Sequence, residues 1–425
     1  MSRWTARSGP IRMVPILMPE KILLRAPLWL LVLVTLSGTL AMHMFVPAMP
    51  DAAADLGASM SAMQMTISLY ILGLAFGQLI YGPLSDGFGR RPLLLAGLSI
   101  YVLAGAAAAL SQSESTLVLA RLFQALGGCA GLALGRAIVR DTAAGDSAVK
   151  DQALLNLIMM AGPGLAPLLG SFLTLHFGWR AVFYALVLLG VITLLSTWRM
   201  LPETGTPTGK VRPAALASDY KALLRSPSFL AYAFGGGCAT TAIYSFIAAA
   251  PFIITTDLHR SVQEVGLYLA LLIVGLSVGN AATRQLIGRF SLERLLIGGN
   301  ALSVVAALLL LAFTLADLLH IVSVTGLMFV FAIGAGIASP AALTKGLSVD
   351  RHLIGSAAGL YGFTQMLVGA ICTSLVGLGD NPALTAFTVL ACAAILGQAG
   401  LWFGMKQDRR MAHNVLTSDA SAGHH

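Results

Sequence analysis

The sequence predicts an all-α membrane protein: twelve transmembrane helices arranged as two pseudo-symmetric bundles of six. Three observations carry that prediction. The 425 residues are 57% hydrophobic and only 10% charged, with mean hydropathy +0.83, whereas a water-soluble chain carries roughly a quarter charged residues. The apolar residues fall into twelve runs, each near the roughly 20 residues that cross a bilayer as a helix. The basic residues are concentrated on alternate connections between those runs.

Residues 1–26 hold Arg3, Arg7, Arg12, Lys21 and Arg25 against a single acid, Glu20. The apolar run that follows is too long for a signal peptide and lacks a small-residue cleavage site. The segment therefore reads as a basic cytoplasmic N-terminus before an uncleaved first span. The first half, 27–200, carries runs at Pro27–Met49, Met63–Leu84, Pro92–Leu110, Leu117–Val139, Ala153–Leu175 and Ala181–Met200. Residues 201–227 are polar, with Pro202, Pro207 and Pro213, and read as a cytoplasmic linker with a short surface helix around Asp219–Leu224. The second half, 228–405, carries runs at Phe229–Ile254, Val265–Ile287, Leu295–Leu315, Ile321–Leu343, Ile354–Leu378 and Ala383–Met405. A cytoplasmic tail, 406–425, completes the organisation.

With both termini cytoplasmic, the inner segments collect all but three of the 26 Lys and Arg, the exceptions being Arg121, Arg180 and Arg260. The outer connections hold Asp51, Asp55, Glu114, Asp257, Glu264, Asp317 and Asp380. This asymmetry predicts orientation. It also accounts for the net charge of +8 without a nucleic-acid surface, because the basic residues are scattered between apolar runs. Cys129, Cys238, Cys372 and Cys392 lie inside apolar runs without CxxC spacing, so they read as buried packing residues, and no metal site is expected.

Between the second and third runs lies a charged, glycine-rich break, Gly82-Pro83-Leu84-Ser85-Asp86-Gly87-Phe88-Gly89-Arg90-Arg91-Pro92. Its glycines permit a sharp turn. Taken alone it reads either as a solvated turn or as a functional one. A degraded counterpart, Asn280…Arg284…Gly288-Arg289, follows the eighth run, in the corresponding position of the second half. Parallel halves of this kind are a recurring transporter architecture.

Every Asp and Glu falls at a span end, in a connection or in a tail, so the candidate buried ionisable groups reduce to Arg121 and His43, with Arg136 and Arg284 near the inner surface. A charge at mid-helix costs about 2.5–3.5 kcal/mol on insertion scales and marks a functional candidate. Gln124 lies one turn beyond Arg121 on the same helix face, within reach of a shared hydrogen-bond network; the structural alternative is an arginine that snorkels to the helix end. His43 is either a proton carrier, since histidine titrates near neutrality, or a neutral histidine bonded to a neighbouring helix. Pro47 and Pro50 end or kink the first helix at its outer edge. Met42, Met44, Met159 and Met160 read either as an adaptable apolar lining or as packing residues. Gly162, Pro163, Pro167 and Gly170 break the ladder of the fifth run and permit close helix approach, as a hinge or a seal.

Several of these sets resemble one family. Gly82-x-Leu84-x-Asp86-x-x-Gly89-Arg90-Arg91 resembles the signature loop of the major facilitator superfamily, Arg121-x-x-Gln124-x-x-Gly127 its fourth-helix motif, and Gly162-Pro163 with Pro167-x-x-Gly170 a variant of its antiporter motif. Phe177-Gly178-Trp179-Arg180 and Leu201-Pro202-Glu203-Thr204 flank the sixth span as is common in that group. Val46-Pro47-Ala48-Met49-Pro50 with Ala54-Asp55-Leu56-Gly57-Ala58-Ser59 is similar to the bicyclomycin- and chloramphenicol-resistance subfamily of drug:proton antiporters. The resemblance implies the major facilitator fold in a bacterial inner membrane and a monomer without a cofactor. It further implies alternating access that exchanges small hydrophobic or amphipathic substrates for protons. It makes Asp86 and Arg90 an inner gate latch paired with the end of the fourth helix, at Arg136, Arg140 or Asp141, and with the start of the eleventh. It places Arg121 in a coupling network. Relatives usually carry an Asp before the Met-x-x-Pro of the first helix; here that position is His43, which the reading assigns the proton-binding role.

The rival expectations are proton-coupled import or export of one metabolite on the same scaffold, and a membrane-embedded sensor or enzyme. Against an enzyme, the spans contain no HExxH and no paired intramembrane Asp; against ATP drive, there is no GxxxxGK[ST].

Overall fold

The computed structural model describes residues 27–142, 164–205, 207, 209, 213–349 and 353–422. Eleven helices among them are long and apolar enough to cross a membrane, and a shorter apolar helix, Gly164–Phe177, stands at the fifth position. The chain is a multi-pass, all-α membrane protein with the twelve-helix architecture expected.

The first span is α1 (Leu28–Phe45), a 3₁₀ turn at Val46–Ala48 and α2 (Met49–Leu56). Pro47 supplies no N–H, so the ladder tightens there and then resumes. Next come α3 (Met60–Phe88), α4 (Arg90–Ala109), α5 (Glu114–Thr142), α6 (Gly164–Phe177) and α7 (Arg180–Met200). The linker carries α8 (Pro213–Leu224), longer than the sequence suggests. Its Leu223 is buried, so it docks on the protein body and does not lie free on the surface. The seventh span is broken: α9 (Pro227–Thr241), then α10 (Ile243–Phe252), then a π turn at Ile253–Asp257. The remaining spans are α11 (Val262–Leu286), α12 (Leu292–Leu315), α13 (Ile321–Ser348), α14 (Ile354–Val376) and α15 (Pro382–Ala422). Serine hydroxyls at Ser59, Ser226, Ser261 and Ser291 accept backbone N–H groups at the starts of α3, α9, α11 and α12, which satisfies donors that a helix start leaves free.

Within the first half, α1 and α5 cross where Gly38 faces Gly128; a Cβ on Gly38 would lie 2.8 Å from the Gly128 carbonyl oxygen. Close backbone approach through small residues is how membrane helices gain packing energy without a hydrophobic drive. The halves meet along α3 and α14, where Gln78 packs on Gly362 and the rings of Phe76 and Phe363 lie 5.7 Å apart. They meet again along α6 and α11, where the Ser171 hydroxyl donates to the Val262 carbonyl at 3.2 Å.

Two expectations are corrected. The Gly82–Pro92 break is not a loop: α3 runs through Gly82, Pro83, Asp86 and Gly87 to Phe88, and only Gly89 turns the chain, at φ +100°. Pro83 cannot bond the Leu79 carbonyl, and the Tyr220 hydroxyl of α8 reaches that oxygen at 3.4 Å, so the helix survives its proline. The counterpart Gly288 also takes positive φ, +95°, which supports the internal repeat. Cys129, Cys238 and Cys372 are buried as expected, but Cys392 is exposed on α15.

Candidate functional site

Arg121 lies on α5 with its side chain fully buried. One guanidinium nitrogen, Nη1, donates to the Ala41 carbonyl of α1 at 3.1 Å and to Gln124 Oε1 at 2.7 Å. The guanidinium carbon stands 4.0 Å from the Tyr70 ring centroid, 5.3 Å from that of Phe45 and 5.7 Å from that of Phe183. Three aromatic faces thus carry part of the stabilisation that water would give the cation. The expected Arg121–Gln124 network is present, and the snorkelling alternative is not. Nε and Nη2 of Arg121 and the amide nitrogen of Gln124 have no hydrogen-bond partner. Nor does Arg121 make an ion pair among the described residues. A buried cation without a carboxylate is costly, and its two unpartnered nitrogens leave hydrogen-bonding capacity inside the first half.

His43 is also buried, on α1. Its Nδ1 lies 2.8 Å from the Thr39 carbonyl; a carbonyl only accepts, so Nδ1 carries the proton and Nε2 is the basic nitrogen of the neutral ring. His43 and Arg121 are not brought together. Arg121 meets α1 at Ala41 and Phe45, and His43 is two residues from each, about 160° around the helix. Met42 and Met44 are buried in the core, the packing alternative. Met159 and Met160 lie outside the described residues, as do Gly162 and Pro163. Pro167 and Gly170 are buried on α6: Gly170 abuts the Met44 backbone of α1, and the Pro167 carbonyl abuts Gly266 of α11 in the other half.

At the turn between α3 and α4, Arg90 pairs with Asp86 at 3.1 Å and also bonds the Ser85 hydroxyl. The Glu203 carboxylate accepts the backbone N–H groups of Arg90 at 2.9 Å and of Arg91 at 3.1 Å. The Arg91 guanidinium donates to the Trp198 carbonyl at 2.7 Å. Glu203 thereby caps the positive end of α4 and ties the turn to the end of α7. Of the expected latch partners, the side chains of Arg136, Arg140 and Asp141 lie outside the described residues. At the start of α14, the Ser356 hydroxyl donates to Asp219 of the linker helix at 2.9 Å.

Several interacting residues escaped sequence reasoning. Glu203 is one: the sequence places it in the motif flanking the sixth span but does not show that it meets Arg90 and Arg91. At the opposite end of the half, Asp55 pairs with Arg180, accepts from Trp179 Nε1 at 3.1 Å, and Arg180 donates to the Ser111 carbonyl at 3.0 Å. Two motifs that the sequence shows separately are thus one contact. In the second half, Lys345 lies 3.2 Å from Glu293 and 3.5 Å from Asp408, Arg409 pairs with Glu293 at 2.8 Å, and the Tyr232 hydroxyl donates to Asp408 at 2.7 Å. Among the described residues, no three His, Cys, Asp or Glu side chains gather as metal ligands.

The family model described as Major Facilitator Superfamily matches residues 31–373. An uncharacterized MFS-type transporter of Bacillus subtilis (strain 168) is 31% identical over 395 residues, 90% of this chain and 95% of that protein. Multidrug resistance protein D of Escherichia coli (strain K12) is 31% identical over 82% of this chain and 87% of its own length. A bicyclomycin resistance protein homolog of Haemophilus influenzae is 26% identical, covering 83% and 89%. Among solved structures, a D-xylose–proton symporter superposes with TM-score 0.67 at 15% identity, over 88% of this chain and 96% of that one, a likeness of fold.

Proposed function

The chain belongs to the major facilitator superfamily and is a membrane transporter rather than an enzyme, and we propose that it exports small hydrophobic or amphipathic compounds in exchange for protons. In this reading it works as a monomer in a bacterial inner membrane, with both termini cytoplasmic as the basic connections predict, and the proton gradient stands in place of a cofactor. The relatives named for multidrug and bicyclomycin resistance support the substrate class.

The observation that carries the reading is Arg121: fully buried, held by Gln124 and three aromatic rings, and paired with no carboxylate among the described residues. A fixed positive charge in the first half raises the cost of a second one nearby. Protonation of His43 on the same bundle is therefore sensitive to whether substrate or water occupies the space between the halves. His43 takes the proton at Nε2, Arg121 and Gln124 form the coupling network, and Asp86, Arg90 and Arg91 latch the cytoplasmic side, with Gly82 and Gly89 in the gate segment. The antiporter-like motif of Gly162, Pro163, Pro167 and Gly170, whose last two members lie on α6, seals against leak. One proton moving inward at 100 mV supplies about 2.3 kcal/mol, so two protons more than cover the roughly 2.8 kcal/mol that a hundredfold substrate gradient costs.

Proton flux in everted vesicles, measured against a panel of antibiotics and metabolites, tests the proposal. Proton release on adding apolar or amphipathic compounds is the expected outcome. Movement of one polar solute with no response to apolar compounds would favour a metabolite carrier.

A further inference from the structure

The seventh span, Pro227–Asp257, is the most enclosed of the eleven long apolar helices among the described residues: 89% of its apolar window is buried, against 33–67% for the other ten. From Gly235 to Ile254 only two side chains keep open surface, Thr240 and Tyr244. They lie four residues apart, at the break between α9 and α10. On α14, Gln365 is also partly open, and its amide nitrogen donates to the Thr240 hydroxyl. Thr240 in turn donates to the Gly236 carbonyl at 2.7 Å. Gln365 stands between Gly362, which faces Gln78 of α3, and Gly369, which faces Thr241 and Tyr244; on a helix, residues three and four apart share a side. Thr240 and Gln365 therefore meet where α3, α9–α10 and α14 converge, on the plane between the two halves, and the Tyr244 ring packs against Gly369, one turn along α14. Outside this point, α10 also touches α2, α3 and the 3₁₀ turn of the first half.

The chemistry of this cluster is uncharged. All eighteen Asp and Glu lie at span ends, in connections or in tails, and the fully buried charge among the described residues is the cation Arg121. A permanent cation entering between the halves would meet no mid-membrane carboxylate to balance it. A neutral molecule would find a hydroxyl, an amide and a phenol that donate and accept hydrogen bonds, within an apolar wall.

We propose that Thr240, Tyr244 and Gln365 form a binding site for neutral amphipathic molecules bearing hydroxyl, carbonyl or amide groups, and that the chain excludes lipophilic cations. This rests on the export reading above and narrows its substrate class.

The test uses the full-length protein in proteoliposomes under a proton gradient, with two probes: chloramphenicol, a neutral amide with hydroxyl groups, and tetraphenylphosphonium, a permanent cation. The unmodified protein moves chloramphenicol and leaves tetraphenylphosphonium behind. Thr240→Val and Gln365→Leu each raise half-saturation for chloramphenicol about tenfold, the equivalent of one lost hydrogen bond, while Thr240→Ser, which keeps the hydroxyl, stays near the unmodified value. Gln365→Glu supplies a carboxylate and admits tetraphenylphosphonium, a gain that misfolding cannot mimic. Equal transport of both probes by the unmodified protein overturns the inference, as do unchanged half-saturation in the first two variants or exclusion of the cation by a folded Gln365→Glu protein. If the unmodified protein moves neither probe and responds to no compound of the vesicle panel, the export reading itself fails, and this site assignment with it.

Discussion

The Glu203 carboxylate accepts the backbone N–H of Arg90 at 2.9 Å, across 113 residues of sequence. Together with the bond from Arg91 it satisfies two donors at the start of α4 and places a negative charge at the positive end of that helix. The signature turn is therefore held from the end of the sixth span, and its geometry depends on an acid outside the motif.

Glu203→Ala removes the cap while leaving the turn residues intact. The expected cost is about 1–2 kcal/mol, read as a lower melting temperature of the detergent-solubilised protein. Glu203→Gln keeps one acceptor oxygen and falls between the two. An unchanged melting temperature in the alanine variant contradicts the capping role.

Gly89 is the one residue of the turn whose backbone demands glycine. Its φ of +100° is unfavourable for a side chain, and a Cβ there would lie 2.5 Å from a Glu203 carboxylate oxygen. Gly89→Ala is expected to destabilise by more than about 1 kcal/mol, whereas Gly82→Ala, with nothing within 4 Å of the added methyl, is expected to leave melting unchanged. Equal effects at the two positions would contradict the structure of this turn.

Arg121→Met separates folding from transport. Replacing a buried charge by a packed apolar side chain is often neutral or stabilising by about 1–4 kcal/mol, and two of the guanidinium nitrogens have no partner to lose. The variant is expected to melt at or above the unmodified temperature and to show no substrate-dependent proton flux. A strongly lowered melting temperature would assign Arg121 a structural role.

Gln64 of α3 is fully buried, and neither its amide oxygen nor its nitrogen has a hydrogen-bond partner. It faces the end of α14, where a Cβ on Gly377 would lie 3.2 Å from its Oε1. An unsatisfied buried polar group costs about 1–3 kcal/mol. Gln64→Leu is therefore expected to raise the melting temperature. A fall would mean that the amide is satisfied in the folded protein.

The sequence made the helices legible because length and hydropathy are local properties, and it made the Arg121–Gln124 contact legible because spacing along one helix sets which side chains meet. The extent of α3 was not legible. Gly82, Pro83 and Gly87 are local breakers, and the helix persists because Tyr220, 141 residues away, reaches the carbonyl that Pro83 leaves free. The Glu203–Arg90 and Asp55–Arg180 contacts were hidden for the same reason: each joins segments that only tertiary packing brings together. The separation of His43 from Arg121 was hidden because it depends on which face of α1 meets α5.

The proton-carrying role of His43 is the central claim, and its most direct test compares two assays on His43→Gln in proteoliposomes. Substrate–substrate counterflow needs the site and alternating access but no proton, whereas transport driven by a pH gradient needs the coupled proton. The variant is predicted to retain counterflow at a rate near that of the unmodified protein and to lose pH-driven transport. If His43→Gln still accumulates substrate against its gradient at the expense of the pH gradient, His43 is not the proton carrier.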